Sequence, residues 1–287
     1  MSTNTAMPEV QRLIATLGDL PSSPSVVSAV IGMTTDLNTD LGKLGQVLSA
    51  DQALTAKVLR LSNSSFYGRL KTVGTINEAI MILGFYTLRS LVIASSTHSL
   101  YQQKDPTKYL PTLWEHSLGT AVAARLLGRR LKHPQLEEAF ICGILHDIGK
   151  LVLTQKLSGE YALVRESLKA DEDWCPHEKE QFGFNHVDVG VVLLEKWNFP
   201  RALTEAIGMH HREPAAAPDR PATLTQLIWL ANPISTVVLS GQQSESDVDW
   251  ERKFAQASIP WDAATISEFF TEFEENYQQE QELFGGG

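Results

Sequence analysis

Cysteine is nearly absent from this chain of 287 residues, which has two, Cys142 and Cys175. A disulfide scaffold is excluded, and so few thiols in so large a chain point to a reducing compartment. Long apolar runs are missing as well, and none approaches the ~18 residues that span a bilayer. The opening residues Met1–Val10 are polar and lack the basic-then-apolar order of a secretory signal. A cytoplasmic protein with no membrane segment is therefore expected. Basic charge is in deficit, with 24 Lys+Arg against 34 Asp+Glu. Residues 241–287 hold 2 basic and 11 acidic side chains, which is -9 of the net -10. The rest of the chain is close to neutral, a poor footprint for nucleic acid. No stretch alternates convincingly as a strand, and no glycine-rich phosphate loop or kinase motif is present.

What is present is helical periodicity. Val10, Leu13, Ile14 and Leu17 share one face, and Leu20-Pro21 breaks that helix. Ser25 can cap a second helix with Val26, Val27, Val30 and Ile31 inward. Leu41, Leu44, Val47 and Leu48 suit a third, and Asp51 caps a fourth carrying Leu54, Val58 and Leu61. After a loop at Asn63–Gly68 come Ile76, Ala79, Ile80 and Ile82, then Gly84 as a stop, then Leu88, Leu91 and Val92. A helix-turn-helix around Ala50-Asp51 is outweighed by the balanced charge of this lobe.

Tyr101–Pro111 is polar with two prolines and marks a lobe boundary. A long helix follows over Leu113–Leu131, with Arg125, Arg129, Arg130 and Lys132 near its C-terminal end, where cations suit the helix dipole. Glu137–Leu157 reads as one buried helix and Glu160–Leu168 as another, with a loop within Ala170–Phe184. The fold expected is all-α, with two packed helical lobes. Residues 1–105 form the first, 106–240 the second, and 241–287 an acidic amphipathic helical tail. In the tail Trp261, Ile266, Phe269, Phe270, Phe273, Tyr277 and Phe284 make an aromatic stripe that has to be buried. Docking on the chain's own body is the first expectation, and a partner or dimer interface the second. Gly241–Asp247 reads as a polar linker.

The chemistry concentrates in His146-Asp147-Ile148-Gly149-Lys150. Phe140, Ile141, Ile144 and Leu145 precede it and Leu151, Val152 and Leu153 follow, so the imidazole and carboxylate are buried and need partners. A hydrogen-bonded polar pair in a core helix would satisfy them. So would a divalent metal, for which neutral imidazole and carboxylate are ligands.

The pentapeptide resembles the signature of the HD superfamily of metal-dependent phosphohydrolases. Glu138–Lys150 is similar to one branch of it, the HDOD domain, a regulatory module of bacterial signalling proteins. Asp51–Ser64, Ile76–Ile80, Leu83-Gly84 and Leu88-Arg89 resemble the N-terminal part of the same family. The resemblance covers about residues 15–240. It places a first ligand at His116, in Trp114-Glu115-His116-Ser117, and a third histidine motif at His186. Asn185 can cap the helix that His186 begins, with Asp188 three residues on as a partial capping box. The family's His-His pair falls on His210-His211, of which His210 is taken as the inward one. The last expected ligand is an aspartate in active relatives, and here the matching residue is Asn232. A Gly-Tyr-Pro motif of the cyclic-dinucleotide phosphodiesterase branch is replaced by Arg212-Glu213-Pro214.

The set His116, His146, Asp147, His186, His210 and Asn232 is thus the expected site, with partial occupancy by Fe, Mn, Ni or Zn. A neutral amide in place of a carboxylate weakens a divalent site. The resemblance therefore implies a non-catalytic signalling module acting through protein partners. The alternative is a metal-dependent phosphohydrolase acting on a nucleotide or phosphate ester, with Lys150 stabilising developing charge.

Overall fold

The computed structural model of the chain describes residues 25–34, 52–63, 73–102, 108–168, 172–217, 220–240 and 248–285, with a few isolated positions before residue 50. Among these residues there are helices and no strand. Most of the expected first helix at Val10–Leu17 and of the third at Leu41–Leu48, the Asp51 cap, the loop after Asn63 and the Gly241–Asp247 linker lie outside the described residues.

Among the described residues, the N-terminal part of the chain contains α1 (Ser25–Thr34), α2 (Gln52–Ser62), α3 (Ile76–Leu83) and α4 (Phe85–Tyr101). Thr75 and Glu78 make a reciprocal capping box that starts α3. Gly84, at φ 80°, ends α3 and turns the chain directly into α4, a conformation that favours glycine. Val30, Val58, Ile80, Leu88 and Val92 close a small core between these helices. Leu91, Ile93 and Ala94 of α4 face the larger core instead, so α4 packs on both sides. Its start is pinned by Arg89 on Glu138 at 2.7 Å and Ser90 on Glu137 at 2.5 Å.

The larger core is built around α5 (Tyr109–Arg130), onto which α6 (Leu136–Leu145) packs. The contact is close because residue 143 is glycine. A Cβ there would lie 2.5 Å from the Ala121 nitrogen. The single helix expected over 137–157 is in fact two, because α6 stops at Leu145 and α7 (Ile148–Lys156) begins after Asp147. Successive residues of a continuous helix point about 100° apart. The break lets His146 and Asp147 turn toward one centre.

Next come α8 (Ser158–Ser167), α9 (Trp174–Phe182), α10 (His186–Lys196), α11 (Arg201–Gly208) and α12 (Leu224–Ser240). The segment expected to contain a loop is mostly α9, capped by Asp173, whose side chain accepts from the Cys175 amide. Pro176 sits in its first turn, where a missing N–H costs nothing. The Asn185–Asp188 capping box that starts α10 is formed as expected. α12 runs through Pro233 and does not end at Asn232.

The tail contains α13 (Trp250–Gln256), for which periodicity gave no sign, and α14 (Ala263–Gly285). Its stripe is buried on the chain's own body: Phe269 and Phe273 are fully enclosed, and Ile266, Phe270, Tyr277 and Phe284 join the same core. The cations at the end of α5 do more than suit its dipole. Arg129 and Arg130 each meet Glu272 at 2.7 Å, and the buried pair Arg125–Glu280 joins α5 to α14.

Candidate metal centre

Gly149 explains why the signature turn has a glycine. A Cβ at this position would overlap the His186 carbonyl oxygen and lie 2.9 Å from the Gly190 nitrogen. The start of α7 therefore rests directly on the start of α10. That approach brings Asp147 to His186, with Oδ1 3.3 Å from Nε2.

The other ligand candidates converge on the same carboxylate. His116 comes from α5, His146 from the α6–α7 break, and His210 and His211 from the turn after α11. Asp147 Oδ2 lies 3.6 Å from His116 Nε2 and 3.4 Å from His146 Nε2, and Oδ1 lies 3.7 Å from His210 Nε2. His186 Nε2 and His211 Nε2 are 3.1 Å apart, as are His116 Nε2 and His146 Nε2.

The outer nitrogens explain why so many Nε2 atoms face inward. His146 Nδ1 donates to the Gly143 carbonyl at 2.8 Å and His210 Nδ1 to the Ile207 carbonyl at 2.7 Å. His186 Nδ1 meets Glu178 at 2.6 Å and His211 Nδ1 meets Asp173 at 3.3 Å. A ring that uses its Nδ1–H outward presents an Nε2 lone pair inward. Burial, with His146 next, lowers the His116 pKa to about 3, and burial with His186 does the same to His211. His210 is held well below the ordinary range by burial and by His211. These rings are neutral and ligand-competent at neutral pH. Burial opposes ionisation of Asp147, but Lys150 and His146 outweigh it and hold its carboxyl well below the usual range.

The centre thus gathers imidazole lone pairs and one carboxylate with few donors to satisfy them. Asp147 Oδ1 and His210 Nε2 are both buried and hydrogen-bonded to nothing, an expensive arrangement in a low-dielectric interior. A divalent ion fits these residues: it satisfies both atoms, and the donor types suit Zn, Fe, Mn or Ni. The approach is narrow. His146, Asp147, His186 and His210 are each no more than 1% exposed. Lys150 closes one side, its Nζ 2.8 Å from Asp147 Oδ2 and 4.6 Å from the centre of the Trp174 ring.

All the expected residues are brought together. Asn232 stands at the edge, beside His116. Lys150 is part of the cluster, but paired with Asp147. His210 is inward as expected, and His211 is inward too, because the pair follows the end of α11 in a turn and both rings can face the centre. Glu178 and Asp173 had no signal in the sequence beyond Asp173's suitability as a helix cap. Glu178 is fully buried and takes Tyr161 Oη at 2.7 Å and the His186 amide at 2.8 Å, besides the His186 ring. Cys175 lies close by, but burial pushes its thiol pKa far up, so it is held as a neutral thiol.

Comparison with known proteins bears on the family and the fold. The family model of the HDOD domain matches residues 20–213. An uncharacterized protein of Treponema pallidum (strain Nichols) is 26% identical over 219 residues, which is 75% of this chain. The chain spans 42% of that relative's length. The crystal structure of a candidate phosphohydrolase from Shewanella amazonensis SB2B is similar at a TM-score of 0.76 and 26% identity, covering 95% of this chain and 97% of the other. An HDOD domain protein with unknown function from Geobacter sulfurreducens is similar at a TM-score of 0.77 and 21% identity, covering 99% of each chain.

Proposed function

We propose a regulatory, metal-holding role for this chain, which belongs to the HDOD domain family. In this reading the chain is a signalling module that works through protein partners and does not turn over a substrate. The observation that supports it most is enclosure. His146, Asp147, His186 and His210 are at most 1% exposed, with only the edges of His116 and His211 reaching solvent at 20% and 24% of their side chains, and a catalytic metal site keeps an open position for water or substrate. The neutral amide of Asn232 at the edge points the same way.

The ion would be held by Asp147, which has His186, His210 and His211 on one side and His116 and His146 on the other. A bound divalent ion would supply positive charge shared by α5, the α6–α7 turn, α10 and the turn after α11, and so stabilise their docking. The protein's own part is to orient the rings through Gly143, Ile207, Glu178 and Asp173, and to exclude water with Trp174 and Lys150. Signalling through partners is the role that the family resemblance implies.

The second reading, a metal-dependent phosphohydrolase, is favoured by Lys150 beside Asp147 and by the name of the Shewanella relative. The full chain loaded with Mn or Fe and incubated with bis(p-nitrophenyl) phosphate separates the two. No release beyond that of free metal is expected. Turnover that is lost in Lys150→Ala would establish the hydrolase instead.

A further inference from the structure

The two oxygens of Asp147 face unlike surroundings. Oδ2 looks toward His116 and His146, and that side already contains a cation, the Lys150 ammonium 2.8 Å from the oxygen. It offers no second carboxylate, because Asn232 is neutral and His146 is backed only by a backbone carbonyl. Oδ1 looks toward His186 and His210 and has no hydrogen bond, and neither does His210 Nε2. Ligand atoms of Asp147, His186, His210 and His211 lie within 4.8 Å of one another. Behind those rings stand two further carboxylates, Glu178 on His186 and Asp173 on His211.

We infer that the chain has one metal position, that it lies on the Oδ1 side, and that Asp147, His186, His210 and His211 are its ligands. This rests on the metal-binding reading above. A divalent ion on the Oδ1 side meets three imidazole rings and a carboxylate, with negative charge behind two of the rings. An ion on the Oδ2 side would have to displace or repel the Lys150 ammonium at close range, where burial leaves the repulsion poorly screened. Lys150 therefore acts as a built-in cation for that side. Trp174 seats it, its ring centre 4.6 Å from Nζ. Glu178 and Asp173 are positioning residues. A carboxylate on the outer nitrogen fixes a ring's tautomer and strengthens its inner lone pair, and removing such a partner costs about 10–100-fold in metal affinity.

The test is calorimetric titration of the metal-stripped full chain with Zn and with Mn, with Co absorption in the visible as a report on ligand geometry. Wild type should bind one ion per chain. His210→Gln should lose about 100-fold in affinity and Glu178→Gln about tenfold, while His116→Gln keeps wild-type affinity and its Co spectrum. Lys150→Gln should admit a second ion. Melting of each metal-free variant checks folding, and Glu178→Gln, which preserves size, reads the same side should His210→Gln fail to fold. Two ions of equal affinity in wild type, or loss of binding in a folded His116→Gln, would overturn the inference while leaving metal binding intact. No binding of either ion to wild type would remove the metal-binding reading and this inference with it.

Discussion

The side chain of Asn232 lies beside the His116 ring. An amide in this place adds no charge to the centre. In the proposed reading this is a ligand position without the charge that would make it one.

Asn232→Asp restores that charge at nearly unchanged volume. The Oδ2 side should then accept a second divalent ion at least about tenfold more tightly than in wild type, about 1.4 kcal/mol. Titration with Mn or Fe reads this directly. Identical isotherms for the two proteins would mean that Asn232 is not a degenerate ligand position.

Gly149→Ala tests the contact that assembles the centre. The added methyl would stand 2.7 Å from the His186 carbonyl carbon, between two helix starts that cannot both stay in place. Overpacking of this kind costs about 1–3 kcal/mol, and metal affinity should fall along with thermal stability. A variant that melts like wild type and binds metal equally well would show that α7 and α10 do not need this approach.

Much of this arrangement was legible before any coordinates. Helix periodicity gave the all-α class, and Asn185 with Asp188 announced the start of α10. His146 and Asp147 stood out as a polar pair in an apolar run, while His116, His186 and His210 were reached through the family resemblance. The break between α6 and α7 was not, since an apolar run from Phe140 to Leu153 looks the same whether or not two residues in its middle leave the helix. Glu178 was illegible for a different reason. It lies on a separate helix from His186, and their pairing at 2.6 Å depends on how the α9–α10 turn folds back, which no residue spacing encodes.

The tail helix is fastened by a charge pair in the core. Arg125 lies over the Phe140 ring at 4.2 Å and pairs with Glu280, which is fully buried. Glu280→Ala takes a carboxylate away from the buried guanidinium and should cost about 3 kcal/mol. The double variant Arg125→Met/Glu280→Leu should lose far less, because no charge is stranded. Urea unfolding of the three proteins decides it, and equal losses in the single and double variants would deny the pair its role.

Acid should loosen the junction where the tail meets the N-terminal helices. His98 of α4 accepts from Lys57 Nζ of α2 at 2.7 Å, with Gln102 beside its other nitrogen and Trp114 of α5 and Phe284 of α14 against its ring. Burial, reinforced by Lys57, lowers its pKa from 6.5 to about 4. The folded chain then binds fewer protons than the unfolded chain between these values, so stability rises with pH across that window and falls on acidification. Arg60, the other cation of α2 acting here, pushes Lys57 the same way as burial, toward about 8. His98→Gln should show a shallower loss of urea midpoint than wild type between about pH 6.5 and pH 4. Parallel losses would place the acid sensitivity elsewhere.

Anomalous X-ray diffraction at the absorption edge of the metal bound to the full chain tests the central claim most directly. One peak is expected beside Asp147 Oδ1, within bonding distance of His186, His210 and His211, in protein that shows no phosphodiester turnover. A peak on the Lys150 side, or no peak in metal-loaded crystals, would contradict it.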